Sequence, residues 1–240
     1  MADLSKSPDR IAGMFDAIAG RYDFLNHLLS GGLDVWWRRR AIRSLALTGR
    51  ERVLDLCTGT GDLALAARRA PAPAAHVVGV DFSAAMLRIA HDKVRRRGHA
   101  DRIGFVRGDA TRIPIADAAV DAVTIAFGIR NVVDVAAACR EMRRVLRRGG
   151  RIAVLEFAVP TRPIVGRAYL WYLRHVLPRI GRAVSRHDDA YGYLQSSIDA
   201  FATPDQLVAT LASSGFTNIC AVPLTFGSVY LYTADILVTS

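Results

Sequence analysis

Three aspartates lie in or at the end of apolar stretches of the sequence, and their carboxylates are its clearest candidates for binding chemistry. Asp55 lies in RVLDLC, Asp81 ends HVVGVD, and Asp109 ends IGFVRGD. If these stretches are parallel strands, their carboxyl ends meet at one edge of a sheet. Carboxylates around one crevice accept hydrogen bonds from hydroxyl, amino and ammonium groups. The pattern therefore predicts a site for a polar, partly cationic ligand.

A glycine turn directly after the first stretch indicates that this ligand contains a nucleotide part. Gly59, Gly61 and Ala64 occupy the positions of a G-x-G-x-x-G/A motif, and Asp81 follows where a ribose-binding acid belongs. This spacing suits NAD, whose pyrophosphate is anionic. It suits S-adenosylmethionine (SAM) equally well, although SAM carries a sulfonium and an ammonium. The turn alone leaves both ligands open.

The acids around the turn favour SAM over NAD. Asp55, on the strand that enters the turn, would repel a pyrophosphate but suits the ammonium of a methionyl group. Asp81 offers two oxygens to the two ribose hydroxyls, and the apolar Phe82 and Met86 are placed to flank an adenine. Asp109 is placed to accept from the adenine amino group. We therefore predict SAM as the cofactor.

Each aspartate also has a structural alternative. Asp55 can cap the helix after the turn, Asp109 can be a turn residue, and Asp81 can be the N-cap of the following helix. Each alternative explains one carboxylate, whereas SAM explains all three.

Seven apolar runs predict seven strands. They are RVLDLC, HVVGVD, IGFVRGD, VDAVTIAF, RIAVLEF, FTNICAV and VYLYTADILV. Helical stretches separate the first five runs, as is typical of a parallel sheet covered on both faces. The last two runs are predicted to pair as a terminal hairpin. The fold class is thus α/β, a doubly wound seven-stranded sheet with helices on both faces.

We expect residues 1–240 to form a single domain of four parts. N-terminal helices occupy residues 1–50 and the SAM-binding core residues 51–160. An inserted substrate- and membrane-facing segment covers residues 161–205. A helix and the strand hairpin complete the chain over residues 206–240.

Helix boundaries inside the core are marked by capping residues. Ser83 is the predicted N-cap of the helix AAMLRIAHDKVRRRG, and Gly98 is its predicted C-terminal stop. Gly149 is predicted to stop the helix VAAACREMRRVLRRGG.

The net charge of +10 invites a nucleic-acid interpretation. Lys6 and Lys93 are the only lysines, so the charge is almost all arginine, as the codon bias of a GC-rich genome produces. No recognisable nucleic-acid-binding module accompanies it, and we expect no nucleic-acid partner. An anionic membrane surface stays open as a partner.

The remaining bulk features indicate a cytoplasmic protein without a metal. No run of about 18 apolar residues occurs, and the N-terminus lacks the apolar centre of a signal peptide. Cys57, Cys139 and Cys220 are far apart and fit neither a disulfide framework nor a metal site.

Four further stretches resemble the signatures of the ubiquinone/menaquinone biosynthesis C-methyltransferase family. They are YDFLNHLLSGGLDVWW, AFGIRNV, RVLRRGGRIAVLEF and YGYLQSSIDAF, and the resemblance extends from about Phe15 to Leu237. It implies a class I SAM-dependent methyltransferase fold of the Rossmann-like type. It also implies methyl transfer to a ring carbon of a polyprenylated quinol: demethylmenaquinol, with the benzoquinol of ubiquinone biosynthesis as a second acceptor.

The resemblance further implies which residues contact SAM. The family's contacts fall on Thr60, Asp81, Asp109 and Ala110. Another family contact, often a serine, falls on Ala126, which has no hydroxyl to offer.

The chemistry of the acceptor assigns catalytic roles to two residues. Carbon is a good nucleophile only in an electron-rich ring, so the acceptor must be the reduced quinol, preferably as its phenolate. Arg130 in AFGIRNV is predicted to stabilise that phenolate and Asn131 to add a hydrogen bond. Arg130 as a structural ion-pair residue is the alternative.

Residues of the N-terminal region are predicted to close the site. They are Tyr22, Asp23 and Asn26, although Tyr22 can equally be an aromatic core residue. Asp34 stands where the family usually has histidine, so a catalytic role for a histidine there cannot apply. His27 and His175 are interpreted as surface or packing residues.

Aromatic residues beside arginines are candidates for membrane contact. They occur in WWRRR (residues 36–40) and in the segment 161–190, which contains Tyr169, Trp171 and Tyr172. A peripheral position on an anionic membrane would bring the enzyme to a polyprenyl substrate. Both stretches can equally be ordinary helices around the substrate pocket.

Overall fold

A computed structural model describes residues 13, 23, 27, 30–172, 175, 197–198 and 201–237. Its helices are α1 Leu33–Ser44, α2 Asp62–Arg68, α3 Ala84–Arg96, α4 Val135–Val145, α5 Pro163–Trp171 and α6 Pro204–Ser213. Its strands are β1 Arg52–Leu56, β2 His76–Asp81, β3 Ile103–Arg107, β4 Val120–Ala126, β5 Leu146–Phe157, β6 Thr217–Leu224 and β7 Val229–Asp235.

The strands form one sheet of seven in the order β3-β2-β1-β4-β5-β7-β6. The pairs among β1 to β5 are parallel, and β7 runs antiparallel to both β5 and β6. This confirms the predicted strands and the terminal hairpin. The order reverses between β1 and β4, and ligands of open α/β sheets bind at the carboxyl edge beside such a reversal.

Both faces of the sheet are covered. In β1, Leu54 and Leu56 belong to a core shared with α4 and α6. Val53 belongs to the opposite core, which is shared with α1, α2 and α3. Because side chains alternate along a strand, Asp55 projects to the same face as Val53. This direction decides what the Asp55 carboxylate can contact.

The helix ends confirm two predicted signals and correct one. Ser83 is the N-cap of α3, and its hydroxyl accepts from the Met86 N–H at 3.1 Å. Gly98, with φ +70°, follows the end of α3. The prediction that Gly149 stops a helix is wrong, because α4 ends at Val145 and β5 begins at once.

Sheet pairing explains this early end of α4. The backbone carbonyls of Arg144 and Val145 accept from the N–H groups of Ala118 and Ala119 at 3.0 and 2.9 Å. These bonds draw the chain towards the sheet. Gly149, with φ +72°, lies in β5 between Leu146 and Arg151, where the pairing of β5 with β4 shifts register.

Among the residues that the structure describes, no helix combines the length and the apolar character that crossing a bilayer requires.

Candidate active site

A cavity of about 330 Å³ opens at the carboxyl ends of β1, β2 and β4. This volume falls in the range of small-ligand sites. Eight residues predicted from the sequence to form the site line it: Gly59, Asp81, Phe82, Met86, Asp109, Ala110, Ala126 and Asn131. The structure thus brings residues from four separate chain segments to one place.

Asp81 is an acid of the cavity lining whose orientation is fixed by two backbone hydrogen bonds. Its side chain is buried, Oδ2 accepts from the Gly59 N–H at 2.8 Å, and Oδ1 accepts from the Ser83 N–H at 2.9 Å. Since Ser83 caps α3, Asp81 is not the N-cap that the sequence left open. The carboxylate is therefore held facing the cavity, where a ribose would be bound.

The wall beyond Asp81 suits an adenine. Met86 and Ala110 are buried apolar residues of the lining, and Phe82 is half-buried beside them. Asp109 is exposed, and its Oδ1 accepts from the Thr111 N–H at 2.8 Å. The turn role that the sequence left open for Asp109 therefore coexists with its place in the cavity.

Two glycines shape the turn after β1. Gly59 and Gly61 have φ +56° and +81°, a left-handed backbone conformation that residues other than glycine rarely adopt. A Cβ on Gly59 would meet no heavy atom within 4 Å, so space is open above this cavity-lining residue. A Cβ on Gly61 would lie 3.2 Å from Cζ of Phe105. Gly59 thus leaves room for a ligand, whereas Gly61 allows close packing and does not line the cavity.

Asp55, predicted to face the ligand, lies beneath the turn and does not line the cavity. It is 1% exposed. Its carboxylate accepts from the hydroxyls of Thr58 and Thr124 at 2.5 and 2.9 Å and from the Ala64 N–H at 3.1 Å. The bond to Ala64 is the helix-capping role left open by the sequence. Burial outweighs these bonds and raises the Asp55 pKa to about 6.

Thr60 and Asp23 also point away from the cavity. Thr60 is 3% exposed, and its hydroxyl donates to Oδ1 of Asp23. Asp23 therefore contacts the back of the turn, and no contact with the cavity is seen. Tyr22 and Asn26 lie outside the described residues.

Arg130, predicted to stabilise a phenolate, is buried behind the cavity wall. Its guanidinium bonds to Oε1 of Glu156 at 2.7 Å and to the Phe127 carbonyl at 2.5 Å, and it lies over the Phe157 ring. Its backbone N–H donates to the other Glu156 oxygen at 3.2 Å. This is the ion-pair alternative left open by the sequence. The neighbouring Asn131 does line the cavity.

Cys57 and Gly128 line the cavity but were not identified from the sequence. A Cβ on Gly128 would lie 2.4 Å from the Cβ of Cys57, so only glycine fits opposite this cysteine. The two residues come from the ends of β1 and β4, which are paired in the sheet. Nothing in the local sequence marks them as neighbours.

The cavity carries a negative field. Burial raises the pKa of the Cys57 thiol well above its ordinary value, and the carboxylates of Asp81, Asp55, Glu156 and Asp109 raise it further. The same field stabilises a sulfonium and an ammonium and opposes a pyrophosphate. Together with the apolar adenine wall and the open space over Gly59, the residues present fit SAM.

Asp34 is part of a buried network. Its carboxylate accepts from Ser30 at 2.9 Å, lies 2.6 Å from Nδ1 of His27 and pairs with Arg38. Burial raises the Asp34 pKa, but the charge and hydrogen bond of Arg38, with Ser30 and His27, lower it below its ordinary value. Asp34 therefore joins α1 to the residues before it.

This network corrects half of the WWRRR interpretation. Arg38 is buried against Asp34, and Trp37 is 4% exposed with its indole N–H donating to Thr225 at 2.9 Å. Trp36 is 46% exposed. Only Trp36 and the arginines after Arg38 are available to a surface.

The sheet order, the antiparallel β7 and the glycine turn facing Asp81 define the class I fold of SAM-dependent methyltransferases. A Thermotoga maritima structure described as a SAM-dependent methyltransferase, possible histamine N-methyltransferase, matches with a TM-score of 0.65. The match covers 93% of this chain and 98% of that chain at 18% identity. At this identity the likeness establishes the fold.

Residues 3–235 match the ubiE/COQ5 methyltransferase family. The chain is 43% identical to the ubiquinone/menaquinone biosynthesis C-methyltransferase UbiE of Geobacter sulfurreducens, over 98% of this chain and 91% of the relative. It is 46% identical to the demethylmenaquinone methyltransferase of Thermus thermophilus, over 92% and 99% of the two chains. The chain belongs to the UbiE/COQ5 methyltransferase family, and it is a SAM-dependent C-methyltransferase.

Replacing Asp55 with asparagine tests its place beneath the turn. The folded pKa of about 6 exceeds the ordinary 3.8, so the folded state binds the proton more tightly. Protonation therefore stabilises the fold below pH 4, and this contribution is lost as the pH rises through 6. The asparagine side chain is neutral at every pH. The free energy of unfolding of Asp55→Asn should therefore rise by up to about 3 kcal/mol relative to that of the native chain as the pH is raised from 4 to 8.

Urea unfolding of both proteins at several pH values measures this difference, and calorimetry at pH 7.5 measures SAM binding. We expect SAM affinity within threefold of native. A tenfold loss of affinity without a change in the pH profile would restore Asp55 as a ligand of the ammonium group.

Asp81→Asn should weaken SAM binding at least tenfold. The amide loses the charge that strengthens hydrogen bonds from ribose hydroxyls, and one such bond contributes about 1.5–3 kcal/mol. Calorimetry measures the effect, with Asp101→Asn as the control because Asp101 is an exposed acid paired with Arg102. Equal affinities of the two folded variants would remove Asp81 from the site.

Proposed function

We propose that this methyltransferase transfers the methyl group of SAM to a ring carbon of demethylmenaquinol, and that the benzoquinol of ubiquinone biosynthesis is a second acceptor. The observation that carries the proposal is the family match over residues 3–235. The name of the Geobacter sulfurreducens relative supports a role in quinone biosynthesis. The name of the Thermus thermophilus relative supports a demethylmenaquinone-type acceptor.

The cavity supports an aromatic acceptor next to the cofactor. Beyond the Asp81 end, its lining includes Phe127, Val132 and Val133, and Val133 is 62% exposed. A quinol ring can pack against these apolar side chains while its prenyl tail leaves past Val133. Asn131 in the same stretch offers an amide N–H to a ring oxygen.

SAM supplies an electrophilic methyl group on a sulfonium. The chain must hold the ring carbon in line with that methyl group, stabilise charge on the ring oxygen and let the ring proton leave. Asn131 donates to the ring oxygen, and the apolar wall sets the ring plane. Asp81 would hold the ribose of SAM at its end of the cavity.

The proton acceptor we propose is water. Among the described residues that line the cavity, the titratable groups are Asp81, Asp109 and Cys57. The two acids are at the ribose and adenine end. The Cys57 thiol is a poor base because its raised pKa keeps it protonated.

For Arg130 we propose a positioning role in place of direct contact with the phenolate. Its bonds to Glu156 and to the Phe127 carbonyl hold the turn between Phe127 and Asn131 against β5. Breaking a buried ion pair costs about 3–5 kcal/mol, because one charge is left uncompensated. The pair thereby fixes the wall on which the ring is placed.

Methylation of quinols by the purified protein tests the function. Demethylmenaquinol, its oxidised quinone and a non-quinol phenol are each incubated with SAM, and products are identified by mass spectrometry. We expect methylation of the reduced naphthoquinol and none of the quinone, because only the reduced ring is electron-rich. Transfer to the phenol alone would replace the proposal with another small-molecule acceptor.

Cells without the protein provide the matching test. They should accumulate a quinone whose ring lacks one methyl group. The native gene should restore the fully methylated quinone. Normal quinones in such cells would contradict the proposed acceptor.

We also propose that α1 contacts an anionic membrane. Leu33 and Trp36 are 42% and 46% exposed, and Arg39 and Arg40 lie beside them on the surface. Exposed aromatic residues beside arginines suit a lipid interface. Near an anionic surface each arginine contributes about 1 kcal/mol. This contact would bring the cavity to a substrate whose tail lies in the bilayer.

Vesicle sedimentation tests the membrane contact. Binding to vesicles with anionic lipids should exceed binding to neutral ones and fall as salt is added. Trp36→Ala should reduce binding several-fold, whereas Val106→Ala, which removes an exposed apolar side chain from β3, should not. Equal effects of the two substitutions, or no binding at low salt, would contradict the proposal.

A further inference from the structure

Lys93 is a buried lysine surrounded by oxygens. It lies on α3 and is 8% exposed. Its ammonium bonds to the Thr60 hydroxyl at 3.1 Å, to Oδ1 of Asp62 at 2.8 Å and to Asp23. Three elements therefore meet at one cation: the glycine turn, the first residue of α2 and the region before α1.

The choice of lysine is informative in this chain. Lys6 is the only other lysine, against 32 lysines and arginines together. An ammonium is compact and directs three donors to three oxygens, whereas a guanidinium is planar and wider. The three partners of Lys93 match the first geometry. At this buried position the site requires a shape that arginine does not have.

The cluster of Lys93 with Thr60, Asp62 and Asp23 is connected to the cofactor cavity through the adjacent residues Thr60 and Gly59. Thr60 bonds to both Lys93 and Asp23, and it lies between the two left-handed glycines of the turn. The preceding Gly59 donates its N–H to Asp81 and lines the cavity. The position of Thr60 therefore sets the position of the N–H that orients Asp81.

We propose that Lys93 is a positioning residue that links the glycine turn to Asp23 through its contacts with Thr60 and Asp23. These contacts and SAM binding would then stabilise each other. Such coupling is reciprocal, because each event stabilises the same turn conformation. Without the ammonium, Asp23 and Asp62 repel each other and Thr60 loses its fixed place. The inference concerns cofactor binding and does not depend on the identity of the acceptor.

Binding of S-adenosylhomocysteine, measured by calorimetry, provides the first test. Lys93→Met should weaken binding tenfold or more. Lys93→Arg should fail to rescue it although it keeps the charge. Arg95→Met is the matched control, since Arg95 lies on the same helix in an exposed ion pair with Asp92. Affinity of Lys93→Arg or Lys93→Met equal to that of the control would overturn the proposal.

Steady-state kinetics separate positioning from general damage to the fold. In Lys93→Arg the KM for SAM should rise by the same factor as the dissociation constant, while kcat at saturating SAM stays within threefold of native. A fall in kcat with an unchanged KM would overturn the proposal.

A double-mutant cycle tests the tie to Asp23. Asp23→Asn alone should weaken binding about fivefold, and in combination with Lys93→Met it should add little, because the two residues act through one contact. Asp23 is partly exposed, so Asp23→Asn should fold and its affinity can be measured even if Lys93→Met does not fold. Fully additive losses, or no loss in Asp23→Asn, would refute the coupling.

Discussion

The cofactor site depends on one buried carboxylate held between two backbone N–H groups. Asp81 accepts from Gly59 after β1 and from Ser83 before α3, and thereby fixes both walls of the cavity mouth. The turn can bring the Gly59 N–H to this acid because Gly59 and Gly61 adopt left-handed φ values. The parallel pairing of β1 with β2 sets the distance between the two walls. One acid thus organises the backbone and faces the cavity.

Behind this lining lies a layer of buried polar groups that do not reach the cavity. Asp55 holds the start of α2, Glu156 holds Arg130 and the turn after β4, and Lys93 holds the glycine turn. Burying charge is costly unless each group has several hydrogen bonds or ion pairs, and each of these three groups makes at least three. The lining itself can then stay mostly apolar, with few polar groups whose directions are set from behind.

The charge of the cavity constrains the proposed reaction. Carboxylates that favour a sulfonium also oppose a phenolate, so the ring oxygen of a quinol needs both a donor such as Asn131 and the positive charge of the methyl donor. The negative field belongs to the end of the cavity where Asp81 and Asp109 lie. Apolar residues after β4 form the other end. The two ends of the cavity therefore differ in character, as a cationic cofactor and an apolar acceptor would require.

The sequence by itself determined the seven strands, the aspartates in or just after three of them, and the family, because apolar periodicity and local motifs are properties of neighbouring residues. Only the tertiary structure decided which side chains reach the cavity. Asp55 is turned under α2, whereas Asp81 faces the cavity. Arg130 turns to Glu156 on β5 while the adjacent Asn131 lines the cavity. The physical reason is that a buried charge points to its best partner, and that partner comes from a distant strand.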